Sequence, residues 1–426
     1  MAKRERFTRI GFLFAALGSV IGLGVIWGFP MMMAKNGGGS YLIAYIVALI
    51  ILGIPLLIAE LMIGKHFQGS APFSLKKITK NARWIGWSAV LLNFFAMLFY
   101  TVIAAWALGY LIMFAAGNYA GNTALLFSNF IASPYVLILT IVFWIAVFSV
   151  LRLGIKKGIE RVVKFLIPAL WIILIALMIN SLMLPGAIDG IAHYMSPNGE
   201  VLLNPVTWMQ AFGQVFFTLS LAAGIMIVYG SHMRKDQNMV EDAFAIGFAS
   251  TLFAVLISIV IFATLFAFST PISSGGDLVF VSLPLLFQNM VFGQFLGILF
   301  FALLVIAAFS PTVSSLEGFT SSLMDKLHFS RRKATLFILI IGASLSMFFA
   351  LMTQYIDSAY VIVLMILPVI GIAELLVFAH HKNFQAIAKE HIKNKDYRKF
   401  WTFCVKYLAP AILFVLIVST IVGFVL

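Results

Sequence analysis

The chain has 426 residues, of which 62% are hydrophobic and only 10% are charged. A soluble domain carries about 25% charged residues, so this composition excludes a soluble globular protein and favours one with most of its length in a membrane. The net charge of +13 would fit a nucleic-acid-binding protein, but the distribution of the charge along the chain argues against that class.

Apolar runs predict about eleven membrane-spanning helices, because roughly 20 apolar residues are needed to cross a bilayer as a helix. Several runs are longer, and we expect those helices to be tilted or to include part of a loop helix. The sequence therefore predicts an all-α membrane protein with a single transmembrane domain over residues 1–426. The predicted spans, numbered in chain order from 1 to 11, are 10–34, 40–63, 86–116, 134–151, 162–184, 207–231, 243–269, 285–323, 335–354, 358–379 and 404–425.

The basic residues follow the predicted spans. When the sides of the membrane alternate from a cytoplasmic amino terminus, 27 of the 28 Lys and Arg residues fall inside and only Lys35 falls outside. This is the positive-inside pattern of multi-pass proteins. It predicts location in the cell's inner (plasma) membrane, with the amino terminus cytoplasmic and the carboxyl terminus outside. Anionic lipid headgroups are sufficient partners for the basic loops, so we expect a lipid bilayer and no nucleic acid.

Span 1 contains an unusual glycine-rich stretch between Gly18 and Pro30, with three further glycines between them. Each glycine weakens a helix, and the proline removes a backbone donor. Backbone groups freed at bilayer depth need partners in the protein or a wet cavity. A broken helix of this kind indicates a substrate or ion site in a transporter.

Span 6 is weakened in a similar way, with Thr218, Ser220 and Gly224 near its middle. Breaks that lie five spans apart predict two antiparallel halves related as an inverted repeat, with discontinuous helices 1 and 6. The predicted repeats cover about 10–184 and about 207–379, and the helix at 404–425 is additional.

Stretches in four spans resemble the signature sequences of the neurotransmitter:sodium symporter family, especially its bacterial amino-acid transporters with the leucine-transporter fold. The resemblance covers nearly the whole chain and implies cation-coupled symport, with Na⁺ as the expected ion, of an amino acid or a related small amine by alternating access. It implies no enzymatic activity. The matching stretches are residues 22–30 and 36–39 of span 1, Gly53, Pro55, Glu60 and Gly64 of span 2, residues 234–237 after span 6, and residues 314–317 of span 8.

The resemblance also implies a substrate site. Tyr100 would bond the substrate carboxylate, and Phe217 would close over the substrate. Ala223 and Ser315 stand where relatives place bulkier side chains, so the sequence weakly favours a large apolar or aromatic amino acid. The full set implied to bind substrate is Ser19, Ile21, Gly22, Gly24, Ala96, Tyr100, Phe217, Thr218, Ser220, Ala223 and Ser315.

Two sodium sites of the family are only partly matched, so we expect one bound Na⁺ at most. The second site would use the carbonyl groups of Gly18, Ile21 and Ala307 and the hydroxyl of Ser310, but Pro311 stands where another hydroxyl is expected. The first site would retain the Val20 carbonyl and Thr218, while Val25 replaces a coordinating Asn. The matching position in span 7, which we assign near Phe266, offers no Asn either.

Arg4 and Asp325 resemble the ion pair that closes the cytoplasmic path, whereas Gly28 replaces the arginine of the outer gate. Three acids lie within predicted spans, where acids are costly and indicate function. Glu60 is expected to brace the broken helices. Glu317, beside Ser315, is a candidate proton carrier, and Glu374 is the third acid of this set.

The departures from the family pattern leave two alternatives open. One is an H⁺-coupled or uncoupled amino-acid transporter. The other is a membrane sensor that keeps the fold and has lost transport. The sequence fixes neither the substrate, nor the coupling ion and its stoichiometry, nor the oligomeric state.

Overall fold

The computed structural model describes residues 5–273 and 275–425. These residues form helices joined by short connections, with no β-strand among them. Eight helices are long and apolar enough to cross a membrane, and two bent pairs raise the number to as many as ten. The eight are Gly39–Phe67, Lys80–Ala115, Ile155–Leu182, Met239–Ala267, Gly293–Leu327, Arg331–Leu351, Thr353–Ala379 and Lys395–Ser419.

Span 1 is one of the bent pairs. Helix Arg9–Val20 ends at the glycine-rich stretch, a π-helix covers Gly24–Gly28, and an α-helix follows over Phe29–Lys35. The two parts differ in direction by 58°. The bend follows from the sequence, since four glycines offer no side-chain packing to hold a straight helix together.

Span 6 is interrupted more widely. Helix Pro205–Thr218 begins with its proline in the first turn, and Asn204 caps it by accepting a hydrogen bond from the backbone N–H of Val206. The helix ends at Thr218, and a second helix runs only over Ile225–Ser231. Neither piece is long enough to cross a membrane alone, so a total of eleven spans requires counting this pair as one. That total and the repeat stay predictions.

The core contains close backbone contacts. A side chain at Gly64 of span 2 would overlap with the backbone of Ile227, and one at Gly230 would overlap with the backbone of Leu61. Small residues allow membrane helices to approach this closely. Span 2 and the second half of span 6 are therefore packed backbone to backbone.

The boundaries correct the sequence prediction at the start of span 8 and add a helix before span 4. Predicted span 8 began at residue 285, but a separate apolar helix covers Gly275–Gln288 and the span itself starts at Gly293. Helix Thr123–Ile131 precedes Tyr135–Leu151 at an angle of 70°. Runs of apolar sequence do not distinguish a loop helix from a span, because hydropathy carries no information about direction.

Candidate functional site

The two helix breaks meet at a hydrogen bond. The hydroxyl of Ser220, in the unwound part of span 6, donates to the backbone carbonyl of Ser19 in span 1 at 3.0 Å. Ser220 has a φ of 52°, in the left-handed region, and this conformation is uncommon for residues other than glycine. Both residues were predicted from the sequence to bind substrate, and the structure brings them together.

Tyr100 of span 3 lies against the break in span 1. Its hydroxyl accepts a hydrogen bond from the backbone N–H of Leu23 at 3.1 Å and donates to the carbonyl of Ala307 in span 8 at 3.4 Å. A β-carbon at Gly22 would lie 3.0 Å from this hydroxyl. Tyr100 therefore joins spans 1, 3 and 8 at one point, where the backbone of span 1 is not helical.

Phe217 lies on the other side of the break. A β-carbon at Gly24 would lie 3.0 Å from the ring of Phe217. The rings of Phe217 and of Tyr360 in span 10 pack edge to face, with their centroids 5.6 Å apart. Glycine at position 24 is thus needed for the close approach of spans 1 and 6. Ala223 and Ser315 are buried and Ala96 is partly buried, and their part in binding stays a prediction.

The residues assigned to the second sodium site lie where spans 1 and 8 touch. A β-carbon at Gly18 would lie 3.1 Å from that of Ser310. Pro311 faces the break, because its Cγ would lie 3.4 Å from a β-carbon at Gly22. Proline has no backbone N–H, so the Ala307 carbonyl, four residues earlier, has no helical donor. Pro311 removes a hydroxyl from this region and also frees a carbonyl oxygen for other partners.

Helix Gly293–Leu327 continues through Pro311 without a break. Thr312 therefore stays about 100° around the helix from Pro311, and its hydroxyl donates to Ala308 at 2.8 Å. Thr312 does not substitute for the missing hydroxyl. The Ser310 hydroxyl donates to Ile306 at 3.1 Å, which leaves its oxygen lone pairs for a cation.

The first sodium site needs one correction. Phe266 lies at the end of span 7 and packs against Gly190 and His193 of the loop between spans 5 and 6. Thr251, about 22 Å lower on the same helix, lies with Thr218 beside the Tyr45 hydroxyl. The part of span 7 next to Thr218 is thus near Thr251, which offers a hydroxyl that the sequence analysis missed. Thr218 itself accepts a hydrogen bond from Gln214 at 3.2 Å. Val20 and Val25 are buried in span 1.

Glu60 holds the break in span 6. Its carboxylate accepts a hydrogen bond from the backbone N–H of Ala222 at 2.6 Å, in agreement with the expected bracing. Glu374 of span 10 is buried close enough to interact electrostatically with Glu60. Among the described residues, no group donates a hydrogen bond to either oxygen of Glu374.

Glu317 has a partner that the sequence analysis missed. Arg331, at the start of span 9, donates to both of its carboxylate oxygens at 2.7 and 2.9 Å, and Ser321 donates to one of them at 2.9 Å. A bidentate pair of this kind stabilises the charged carboxylate. Protonation would break a buried ion pair, so the geometry argues against Glu317 as the proton carrier.

Several contacts join the elements at the end of the molecule predicted to face the cytoplasm. Asp325 accepts a hydrogen bond from the backbone N–H of Ser70 at 2.9 Å, whereas its predicted partner Arg4 lies outside the described residues. Thr8 binds Glu160 of span 5 through its backbone N–H at 3.1 Å and through its hydroxyl at 2.6 Å. Lys164 donates to the same carboxylate. Glu160 was missed because its partner Thr8 lies 152 positions away in the sequence.

These features define a class of protein. Two membrane-spanning helices are interrupted at points that face each other, and their free backbone groups lie beside a tyrosine, hydroxyl groups and a buried acid. This is the arrangement of a transporter with a central binding site.

Comparison with known proteins identifies the family. The family model described as "Sodium:neurotransmitter symporter family" matches residues 4–123 and 119–425, so the chain belongs to the sodium:neurotransmitter symporter family. Members of this family are membrane transporters, not enzymes.

Several relatives support the assignment. An uncharacterised sodium-dependent transporter of Methanocaldococcus jannaschii is 35% identical over 97% of this chain and 89% of its own length. One from Haemophilus influenzae is 31% identical over 97% of both chains. The bovine sodium-dependent neutral amino acid transporter B(0)AT2 is 29% identical over 61% of this chain and 40% of its own.

A solved structure matches over almost the full length. The crystal structure of MhsT in complex with L-phenylalanine has a TM-score of 0.89 and 33% sequence identity, and the match covers 98% of this chain and 100% of that chain. The fold is therefore that of an α-helical membrane transporter of the leucine-transporter type, as the sequence predicted.

Proposed function

We propose that the protein is a Na⁺-coupled symporter of a large apolar or aromatic amino acid. It would bind the substrate between the breaks in spans 1 and 6 and release it on the other side of the membrane by alternating access. The observation that carries this proposal is the Ser220–Ser19 hydrogen bond, because it joins the two breaks beside Tyr100.

The chemistry of the site fits an amino acid. The backbone N–H groups at the start of the helical segment after the span 1 break are suited to a carboxylate, since a helix amino terminus carries partial positive charge. The Tyr100 hydroxyl, whose donated bond to the Ala307 carbonyl is long at 3.4 Å, would turn its proton to the carboxylate when substrate binds. The free carbonyl groups of the breaks suit the ammonium group and a cation.

The proposal that the substrate has a large side chain is supported by two small residues and by one solved structure. Ala223, in the unwound part of span 6, and Ser315, in span 8, are both buried, and their small side chains would leave room for a large substrate side chain. MhsT, which shares the fold, was crystallised with L-phenylalanine. Phe217 and Tyr360 add aromatic surface beside the break.

Sodium coupling is supported by the family and by the second site. The donor set there would be the carbonyls of Gly18, Ile21 and Ala307 and the hydroxyl of Ser310. Oxygen donors of this type suit a hard cation. Na⁺ would travel with the substrate as cargo. The first site, with Val20, Thr218 and Thr251, is the weaker candidate.

The test is uptake into proteoliposomes that contain the purified protein. Radiolabelled phenylalanine, leucine and alanine are offered under an inward Na⁺ gradient, with K⁺ replacing Na⁺ as the control. We expect accumulation that requires Na⁺ and is greatest for the large substrates. Accumulation driven equally by a pH gradient without Na⁺ would favour H⁺ coupling, while saturable binding without accumulation would favour the sensor.

The topology proposal follows from the charge pattern. We propose a plasma-membrane protein with its amino terminus in the cytoplasm and its carboxyl terminus outside. Fusing a reporter that is active only in the cytoplasm to each terminus tests this, and we expect activity at the amino terminus alone.

A further inference from the structure

A cluster of metal-ligating side chains lies away from the central site, at the end of the molecule predicted to face the cytoplasm. His66 lies at the end of helix Ile54–Phe67 in span 2, while Glu390 and His391 end the helix Phe384–His391 that connects spans 10 and 11. One ligand atom from each of the three residues can be chosen so that all lie within 4.8 Å of one another. Residues 324 positions apart in the chain are thus brought to one point.

The spacing is close to that of a metal site. His66 Nδ1 lies 3.5 Å from one Glu390 oxygen, and His391 Nε2 lies 3.9 Å from the other. Tetrahedral Zn²⁺ with bonds of about 2.0–2.2 Å separates its ligand atoms by roughly 3.3–3.6 Å. The ligand atoms must move about one ångström closer together to reach tetrahedral spacing. The side chains of His66 and Glu390 are exposed enough to make this movement.

A second observation points to a ligand. The side chain of His391 is only 10% exposed. Its Nε2 is buried without a hydrogen-bond partner among the described residues. A buried imidazole nitrogen without a partner is unfavourable. This nitrogen lies 3.9 Å from Glu390 Oε1, and the His66 and His391 ring centroids are 5.9 Å apart, so the unpaired nitrogen lies within the cluster.

The charges around the cluster also permit a cation. Lys65 interacts electrostatically with Glu390 and His391, but its ammonium group donates to the carbonyl of Gln237 at 2.6 Å. The ring of His381 packs edge to face against that of Phe67, with the two ring centroids 5.8 Å apart. Glu390 supplies the negative charge that balances part of the metal charge.

The donor types select the metal. Two imidazole nitrogens with one carboxylate are typical of Zn²⁺, with water in the fourth position. Ca²⁺ and Mg²⁺ prefer oxygen donors, so they are excluded as the preferred occupants. Cu²⁺ and Ni²⁺ also bind imidazole well.

We propose that His66, Glu390 and His391 form a site for a divalent transition-metal ion, with Zn²⁺ as the reference ion, that ties span 2 to the helix connecting spans 10 and 11 and slows transport. His66 is six residues, about 9 Å along the helix, from Glu60, which holds the break in span 6. A metal that fixes the end of span 2 therefore restricts the segment that carries this bracing acid. The slowing depends on the proposed transport function, but the binding does not.

Calorimetry tests the binding. The full chain, purified with its affinity tag removed, is titrated with ZnCl₂ and separately with MgCl₂. We expect one saturable Zn²⁺ site and no Mg²⁺ site. His66→Ala and Glu390→Gln change exposed residues and should weaken Zn²⁺ binding by about tenfold or more, as should His391→Gln.

His380→Ala is the matched control, because His380 is exposed on the same side and its ring lies within hydrogen-bond distance of the carbonyl of Leu376, in its own helix. It should leave Zn²⁺ affinity unchanged. Binding of equal strength in the wild type and in His66→Ala and Glu390→Gln, or no saturable binding at all, would overturn the site.

Uptake with Zn²⁺ on the cytoplasmic side, against EDTA, tests the second half of the proposal. We expect uptake to fall several-fold in the wild type and to be unaffected in His66→Ala. A bound metal with unchanged uptake would overturn the restriction of transport but not the site. If no substrate is transported at all, calorimetry still decides whether the site exists, so the two proposals fail separately.

Discussion

The break in span 1 and the break in span 6 reach a similar result by different means. Span 1 loses its regular helix over a few residues and resumes as a π-helix at Gly24. Its glycines are therefore the main cause of this break. Span 6 is unwound from Leu219 to Gly224, and two residues that are not glycine, Ser220 and Ala222, have positive φ.

The partners of the two breaks also differ. The span 1 break is held by a neutral hydroxyl, that of Tyr100, whereas the span 6 break is held by a buried acid, Glu60. A left-handed residue other than glycine costs about 1–2 kcal/mol, and the buried hydrogen bond from the Ala222 N–H to Glu60 offsets part of such a cost. In this molecule, the break rich in glycine is held by a neutral hydroxyl group, whereas the break whose positive φ values fall on Ser220 and Ala222 is held by a buried acid.

The largest effect is expected at Glu60. Glu60→Ala removes the acceptor of the Ala222 N–H, so the span 6 break loses its partner, and we expect Na⁺-driven uptake to be lost. Glu60→Gln keeps an acceptor oxygen and should retain more uptake than the alanine variant. Uptake in proteoliposomes measures both. Near-normal uptake by Glu60→Ala would show that the acid is not needed to hold the break.

A smaller effect is expected at Tyr100. Tyr100→Phe leaves the Leu23 N–H and the Ala307 carbonyl without their partner, and a lost buried hydrogen bond costs about 1–3 kcal/mol. We expect substrate affinity to fall by about tenfold. The matched control is Tyr110→Phe, which loses a bond to Phe280 away from the site and should change stability without changing affinity. Equal affinities for both variants would contradict the role of Tyr100.

Variants of Pro311 test the contribution of span 8, which contacts the break in span 1, to Na⁺ binding. Pro311→Ala restores a backbone N–H that can bond the Ala307 carbonyl, so we expect the Na⁺ concentration for half-maximal binding to rise by a few-fold, about 0.5–1 kcal/mol. Pro311→Ser adds a hydroxyl as well and should need less Na⁺ than Pro311→Ala. Scintillation binding at varied Na⁺ measures this. If the two variants do not differ, the missing hydroxyl has no bearing on the ion.

The smallest effect is expected from the strained backbone. Ala222→Gly relieves the positive φ at that position and should change thermal stability by less than about 1 kcal/mol, in either direction. Ala211→Gly is the matched control, because Ala211 is equally buried but lies inside helix Pro205–Thr218. It should lower the melting temperature clearly. A larger loss at Ala222 than at Ala211 would mean that its φ is not a source of strain.

The sequence predicts the glycine-dependent parts of the molecule well. The break in span 1 follows from Gly18 to Pro30, because glycine and proline act locally and need no tertiary context. The positive φ of Ser220 and Ala222 was not predictable, since it depends on the distant acid Glu60.

Long-range partners account for the other misses. The pairing of Glu317, a candidate proton carrier, with Arg331 was not predictable, because it depends on how span 8 turns into span 9. Phe266 was assigned to the first sodium site by counting along span 7, and the count placed it about four helical turns too high. A sequence pattern therefore shows which helix a residue belongs to better than it shows how far along the membrane normal the residue lies.

The glycine contact between span 2 and the second half of span 6 has a mechanical consequence. With no side chains at Gly64 and Gly230, the two backbones lie in direct contact, and a Cβ at either position would overlap with the opposite backbone. We therefore expect a displacement of span 2 to carry the second half of span 6 with it, so that a restraint at His66 would also act on the unwound segment at Ala222, which Glu60 of span 2 binds.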